Sequence, residues 1–383
     1  MQGVRARVLI VSASIGGGHV AAGRALEGAF ARLGCETLHV DLLDYTSAPF
    51  RRLYRQAYFD LLRTAPEMVD WLGKRLDRAP RQSRLRNLRL RARLIRLISY
   101  HLPRTIRAYR PTVLVHTHFL PPEMFSVRAR VPLPQSVVVT DFAAHRLWVQ
   151  PGVGRYYVAA DEVKAHMLSM GVGPERVRVS GIPIDSRFAQ LPSREAARRS
   201  LGYGTGRDLL LLMAGGMSGG TLREVLHQLR NMRLHLQIVV VCGRSPDLRN
   251  IAFEMLDGYE GPVQFDVQGL SSEVPILMAA ADLLIGKPGG LTTSEALASG
   301  LPFAIVDPYP LQEEANATYL LEYGAGMRIE PLSTLELKVG RFLGDRERRT
   351  RMSRAASEVG KPHASFEIAT DLLENPLPTP YHY

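Results

Sequence analysis

Cysteine is nearly absent from this 383-residue chain: Cys35 and Cys242 are the only two, far apart and in apolar or strand-like surroundings. They read as reduced core thiols of a cytosolic protein, not as a disulfide framework. No apolar run approaches the roughly 20 residues that span a bilayer. The early run RVLIVSA is only a short strand ending in a glycine loop, so no secretory segment is expected. Metal signatures are missing too. There is no H-E-x-x-H, no CxxC and no closely spaced acidic pair, and neither metal nor cofactor is expected. Disorder is not indicated, since 46% hydrophobic and 22% charged residues are enough to build two cores.

Acids are scarce in one stretch. Between Lys74 and Arg110, thirteen Lys or Arg stand against one acid, Asp77, in a chain whose net charge is +11. Leu85, Leu88, Leu90, Leu94, Ile95, Leu97, Ile98 and Leu102 are interleaved at mostly helical spacing. A basic amphipathic helix suits an anionic membrane surface, at roughly 1 kcal/mol per basic residue. Arg84, Arg86, Arg89 and Arg93 are its candidate membrane contacts. The alternative is a helix packed on its own domain with a solvated arginine face. Only Tyr100 and Tyr109 are aromatic there, so nucleic acid is not the expected polyanion.

The length suggests two α/β domains of near-equal size. Strand-like segments fall at Arg7 to Ala13, Thr37 to Asp41, Thr112 to Thr117, Ser136 to Thr140, Arg155 to Val158 and Val177 to Ser180, with a helix from about Val20 to Leu33. After a proline-bearing linker at 182–193, strands restart at Asp208 to Ala214, Gln237 to Cys242, Val263 to Val267, Leu283 to Gly286 and Phe303 to Val306. Strands alternating with helix-length segments predict two doubly wound, Rossmann-like domains facing a cleft. A helix from Ser365 to Glu374 and an irregular tail close the chain.

The densest motif is GKPGGLTTSEALASGLP, Gly286 to Pro302, followed by QEEAN at Gln312 to Asn316. The apolar run Ala279 to Ile285 reads as a buried strand, Gly289 and Gly290 as a tight backbone approach, and Thr292 or Thr293 as the cap of a helix starting near Ser294. Such a helix start is an anion site, because its free N–H groups and dipole favour negative charge. Leu291, Thr292 and Ser294 line it, Glu295 is placed to accept from ribose hydroxyls, and Gln312, Glu313 and Asn316 from a second sugar. The pattern fits a nucleotide-sugar clamp. Gly216, Ser218 and Gly219, in the turn after the first strand of the second half, are placed to hold a diphosphate, and Arg244 and Gly269 to wall the base.

In the first half, Gly16, Gly17 and Gly18 precede His19 between strand and helix, without the G-x-G-x-x-G order of dinucleotide sites. Asp41 still leaves a nicotinamide site open on these residues alone. Glycines allow close approach of a ligand, and a histidine there can serve as general base. Thr140, Asp141 and His145 follow a run of valines. Asp141 is a candidate to orient or charge-balance a base, and His145, with Gly17 and Gly18, to contact phosphate or acceptor.

Taken together, SxSxGGGHxxAxxAL at Ser12 to Leu26, TDFxxHxxW at Thr140 to Trp148, GIP at Gly181 to Pro183, KPGGLTTSEALAxGLP, and PxxxQEExN at Pro308 to Asn316 resemble the monogalactosyldiacylglycerol synthase and processive diacylglycerol glucosyltransferase family. The peptidoglycan transferase that adds N-acetylglucosamine to a lipid-linked acceptor is related, but its first loop has a proline where this chain has Val20. The resemblance implies a GT-B fold and an inverting transferase, moving glucose or galactose from a UDP-hexose to diacylglycerol. It also implies peripheral attachment to an anionic membrane, on the cytoplasmic face of the plasma membrane. His19 matches the base, Glu295 the ribose contact, and Gln312 with Glu313 the donor-sugar contacts. On that reading residues 1–188 face acceptor and membrane, 189–360 bind the UDP-sugar, and 361–383 form a C-terminal helix and tail. Two rivals remain open: a UDP-N-acetylglucosamine 2-epimerase-like enzyme, and a non-catalytic UDP-sugar sensor.

Overall fold

The computed structural model describes residues 6–14, 16–46, 102–122, 133, 135–150, 152–309 and 311–377. Described residues up to Ser186, together with those from His363 onward, form one compact unit, and Arg187–Pro362 form a second.

In the first unit the elements run β1 (Arg7–Ser12), α1 (Gly18–Arg32), β2 (Glu36–Asp41), α2 (Leu102–Tyr109), β3 (Val113–His116), β4 (Gln135–Val138), β5 (Arg155–Val158), α3 (Asp161–Ser169) and β6 (Val177–Val179). The strands form one sheet in the order β2-β1-β3-β4-β5-β6, every pair parallel. Strand β1 is apolar on both faces, as a strand covered twice must be. Val8 and Ile10 pack with Leu26 and Phe30 of α1, while Leu9 and Val11 pack with Leu102 and Ile106 of α2.

The second unit runs α4 (Arg194–Ser200), β7 (Asp208–Met213), α5 (Gly219–Arg230), β8 (Leu236–Val241), α6 (Pro246–Leu256), β9 (Gln264–Gln268), α7 (Val274–Ala280), β10 (Leu283–Gly286), α8 (Gly290–Ala298), β11 (Phe303–Ile305), α9 (Leu311–Glu322), β12 (Gly326–Arg328), α10 (Leu335–Gly344) and α11 (Arg346–Val359). Its sheet is also all parallel, in the order β12-β11-β10-β7-β8-β9. Both units are therefore Rossmann-like, as the strand spacing predicted.

The last helix, α12 (Ala364–Glu374), belongs to the first unit. Its Ile368, Ala369 and Leu372 join the core beside α1. Asp371 fixes the register, accepting from Arg155 at 2.9 Å and from the Tyr157 hydroxyl at 2.7 Å.

Several sequence expectations are corrected. The run Ala279 to Ile285 is not one strand: Ala279 and Ala280 end α7, and β10 begins only at Leu283. The turn between them is set by Asp282, whose buried carboxylate accepts from the Leu209 amide at 2.8 Å. Helix α8 starts at Gly290, with Gly289 as N-cap and no side-chain cap, so neither Thr292 nor Thr293 caps it. Glu295 consequently lies on the second turn instead of the first. Helix α1 starts at Gly18, which puts His19 inside the helix rather than before it. Strand β12 was not foreseen, because three residues carry too little periodicity to be seen.

Arg84, Arg86, Arg89 and Arg93 lie outside the described residues, as does the tail from 378 on. The basic segment is described only at its end, where Leu102 and Ile106 of α2 are core residues.

Candidate active site

In a doubly wound sheet, ligands meet the carboxyl ends of strands where the strand order reverses. In the first sheet that point lies between β1 and β3, and in the second between β7 and β10. The glycine loops of the sequence fall at these two places.

At the first reversal, Ser12 ends β1, Thr117 follows β3 and Thr140 follows β4. Ser12 Oγ lies 2.8 Å from Thr117 Oγ1 and 2.7 Å from His39 Nε2, and Thr117 Oγ1 donates to the His19 carbonyl at 2.9 Å. Gly23 makes this packing possible, since a Cβ there would sit 2.5 Å from His39 Nε2 and 2.6 Å from Ser12 Oγ. His19 Nδ1 is 2.9 Å from the Thr117 carbonyl and 2.8 Å from Thr140 Oγ1. A carbonyl only accepts, so Nδ1 carries the proton and the lone pair lies on Nε2. Burial pushes the His19 pKa down to about 4, with the Thr117 hydrogen bond opposing, so the ring is neutral at pH 7.

An aromatic wall surrounds it. His118 meets His19 edge-on at 4.5 Å between ring centroids, and Phe119 stacks on His118 at 4.2 Å. Trp148 lies 6.5 Å from His19, and His145 5.0 Å from Phe119. The His118 Nδ1 accepts from the Leu120 amide at 3.0 Å, so its proton sits on Nε2, the opposite tautomer to His19. Asp141 follows Thr140 directly and is half-buried. Thr140 Oγ1 is a side-chain partner of His19 Nδ1.

These buried rings make stability depend on pH. His116 is pushed down to about 3 by burial, partly offset by its bond to Gln135, and His118 is pushed well below the usual range by burial and by His19 and His145. The unfolded chain takes up protons near pH 6.5 while the folded chain refuses them. The stability from these rings is therefore complete above about 6.5 and is lost as pH falls through their folded pKa values. Each contributes a slope of about 1.4 kcal/mol per pH unit in that window. Scanning calorimetry between pH 7 and 5 should show Tm falling, with a shallower fall in His116→Gln; equal slopes would contradict the assignment.

At the second reversal, Gly216 adopts φ +84° in the turn after β7. Ser218 is the N-cap of α5, accepting from the Thr221 amide at 3.0 Å, and Gly219 is the first helical residue. Thr221 Oγ1 donates to Asp307 Oδ2 at 3.0 Å, tying α5 to the loop after β11. Gly215, Gly243 and Gly269 lie just past the ends of three neighbouring strands in close approach: a Cβ at Gly243 would stand 3.9 Å from Gly215 Cα, and one at Gly269 3.8 Å from the Gly243 carbonyl. Arg244 is exposed beside them.

Across the reversal, β10 leads through Lys287 and Pro288 into α8. The amides of Gly290, Leu291 and Thr292 open the helix and have no preceding helical carbonyl to bond. Asn316, fully buried, donates to the Pro288 carbonyl at 2.9 Å and so holds this turn in place. Lys287 Nζ lies 3.2 Å from Glu313, whose carboxylate also accepts from the Tyr309 amide at 2.9 Å. Burial raises the Glu313 pKa, and Lys287 opposes that shift. Glu313 is thus committed within the protein; Gln312 beside it and Glu295 on α8 are half-buried. The Ser294 hydroxyl is buried among the described residues without a hydrogen-bond partner.

Residues 19–184 match the family described as monogalactosyldiacylglycerol (MGDG) synthase, and residues 211–367 the glycosyltransferase family 28 C-terminal domain. The two matches lie in tandem along the chain. The first match begins after β1 and the second begins within β7, so each falls mainly on one Rossmann-like unit, and the resemblance drawn from the motifs is borne out. A processive diacylglycerol beta-glucosyltransferase of Bacillus pumilus is 29% identical over 374 residues, 96% of this chain and 94% of the relative. Among solved structures, MurG of Acinetobacter baumannii superposes with TM-score 0.61 at 15% identity, covering 96% of this chain and 99% of that one. MnaA of S. aureus, solved with UDP, gives TM-score 0.63 at 14% identity, covering 99% and 100%. At such identities the structures speak for the fold alone, and the fold of this glycosyltransferase is GT-B.

The sequence reading missed Ser12, His39, Thr117 and His118 around His19, and Lys287 and Asp307 in the second unit. The rule that picked out Thr140, a polar residue at the end of a buried strand, applies equally to Thr117 and His118 after β3.

Proposed function

We propose that this chain is an inverting hexosyltransferase that moves glucose from UDP-glucose to the hydroxyl of diacylglycerol. The observation that carries the mechanism is the His19 tautomer. With Nδ1 protonated against Thr117 and Thr140, Nε2 presents a lone pair, and in this reading it takes the acceptor proton as the oxygen attacks the anomeric carbon. Inversion of a UDP-α-hexose gives a β-glycoside. The departing UDP carries negative charge, and the α8 amides, with the glycine turn after β7, are the groups proposed to meet it. Glu295 is assigned to the ribose and Gln312 to the sugar. Glu313, already paired with Lys287, would act by holding that lysine and the start of α9 in place.

Diacylglycerol is proposed as acceptor because the Bacillus pumilus relative is named for it and the first unit matches the MGDG synthase family. The same two matches favour transfer over the epimerase and sensor readings. The test is incubation of the full-length protein with diacylglycerol liposomes and labelled UDP-glucose, UDP-galactose or UDP-N-acetylglucosamine. A β-glucosyl lipid is expected. Donor epimerised without any lipid product, or UDP-sugar bound without turnover, would refute the proposal.

Attachment to the inner face of the membrane rests on the charge pattern of residues 74–110. No described helix is long and apolar enough to cross a bilayer. Neutralising Arg84, Arg86, Arg89 and Arg93 together should sharply reduce co-sedimentation with anionic liposomes at physiological salt and leave binding of UDP intact. Undiminished sedimentation would assign the arginines to a solvated face.

A further inference from the structure

Beside the opposite end of the second sheet from the α8 turn, where β7 begins at Asp208 and Asp282 precedes β10, there is a cavity of about 530 Å³. Arg194 of α4, Asp282, and one face of α11 line it, including Arg346, Arg349 and Arg354. The charges do not balance. Two carboxylates, Asp208 and Asp282, serve three guanidinium groups: Asp282 pairs with Arg194 at 3.1 Å, with Arg349 at 3.0 Å and with buried Arg198, and Asp208 pairs with Arg349 at 2.8 Å. Arg346 adds a further cation and has no ion pair among the described residues. Arg354 spends only its Nε on Glu358, at 2.8 Å.

The placement on α11 is the second sign. Arg346, Arg348 and Arg349 crowd its first turn; Glu347 is the acid within that turn, and Asp345 caps it, accepting from the Arg348 amide at 2.9 Å. Helix starts favour carboxylates, because the exposed amides already carry partial positive charge. The Asp345 cap meets the dipole, but the guanidinium groups gathered along this face still repel one another, and an anion seated among them would relieve that repulsion. The hydroxyls on the same face have their hydrogens engaged: Thr350 donates to the Arg346 carbonyl at 3.0 Å, Ser353 to Gly300 at 2.7 Å and Ser357 to Ser353 at 3.1 Å. Recognition therefore falls to the guanidinium forks, which match the oxygens of a phosphate. A volume in the range of small-ligand sites accommodates a phosphomonoester.

We infer that this cavity binds a phosphomonoester dianion, held by Arg346 and Arg354 with Arg194 behind them, at a site separate from the UDP-sugar residues at the other end of the sheet.

Calorimetric titration of inorganic phosphate into the full-length protein saturated with UDP tests this, because the nucleotide then occupies the diphosphate contacts of the donor site. Saturable binding is expected. It should weaken by about tenfold or more in Arg346→Ala/Arg354→Ala, as loss of charge-assisted hydrogen bonds predicts, while UDP affinity stays unchanged. Both arginines are exposed and outside the core, so the variant should fold, and its circular dichroism checks that. Glycerol 3-phosphate and vesicles doped with phosphatidic acid present the same dianion in free and lipid form, and an arginine-dependent signal from either identifies the source. Absence of saturable phosphate binding, or binding equal in wild type and variant, would overturn the inference.

Discussion

Replacing His19 by alanine is expected to lower the rate of sugar transfer by about 10²–10⁴-fold, the usual contribution of a positioned general base, with UDP affinity unchanged. The split between turnover and binding is the informative part. His19 lies in the first turn of α1 in the first unit, and its Nδ1 is fixed by the Thr117 carbonyl and the Thr140 hydroxyl. The residues assigned to UDP are all in the second unit. Removing the imidazole therefore removes the proton acceptor and leaves the nucleotide contacts whole. Steady-state kinetics with diacylglycerol liposomes, alongside UDP titration, make the comparison. Near-normal turnover with normal UDP binding would show that another group takes the proton.

Asp282→Ala should give the largest loss of stability, about 3–5 kcal/mol, as expected when one partner of a buried ion pair is removed. Asp282 is 5% exposed and Arg198 6% exposed. Taking away the carboxylate leaves the buried Arg198 guanidinium without its counter-charge, held only by the Ala280 and Arg207 carbonyls, and also frees the Leu209 amide near the start of β7. Set against a total of roughly 5–15 kcal/mol for a domain, the loss approaches global unfolding of the second unit. Urea denaturation followed by circular dichroism measures it. Replacing both partners with apolar residues, Arg198→Met with Asp282→Leu, should recover a large part of the loss, because no buried charge is then left unpaired. A loss below about 1 kcal/mol in the single variant, the range of surface ion pairs, would mean water reaches the pair.

Much of the scaffold was legible in advance. The parallel strands are apolar on both faces, and β5 and β10 were placed at their observed limits, Arg155–Val158 and Leu283–Gly286. Element boundaries are hidden where apolar residues continue across them. Ala279 and Ala280 extend the hydrophobic pattern of β10 backward, and only the buried pairing of Asp282 shows why the chain turns there. The two threonines suggest a side-chain cap and a start near Ser294, whereas α8 begins at Gly290 with no side-chain cap. The commitment of Glu313 to Lys287 was likewise hidden, because the two are 26 positions apart and meet only when β10 and α9 are folded side by side.

By itself the sequence determined the two parallel α/β units, the family to which its motifs point, and the glycine turns beside which a ligand would lie. Those follow from local rules: periodicity, strand ends and residues suited to tight turns. What the tertiary structure alone decided is the chemistry of the base. His19, Thr117 and Thr140 are up to 121 positions apart, and strand order brings them together, β1 beside β3 and β3 beside β4. Only that adjacency puts a carbonyl against Nδ1, and a carbonyl there leaves the ring's lone pair on Nε2.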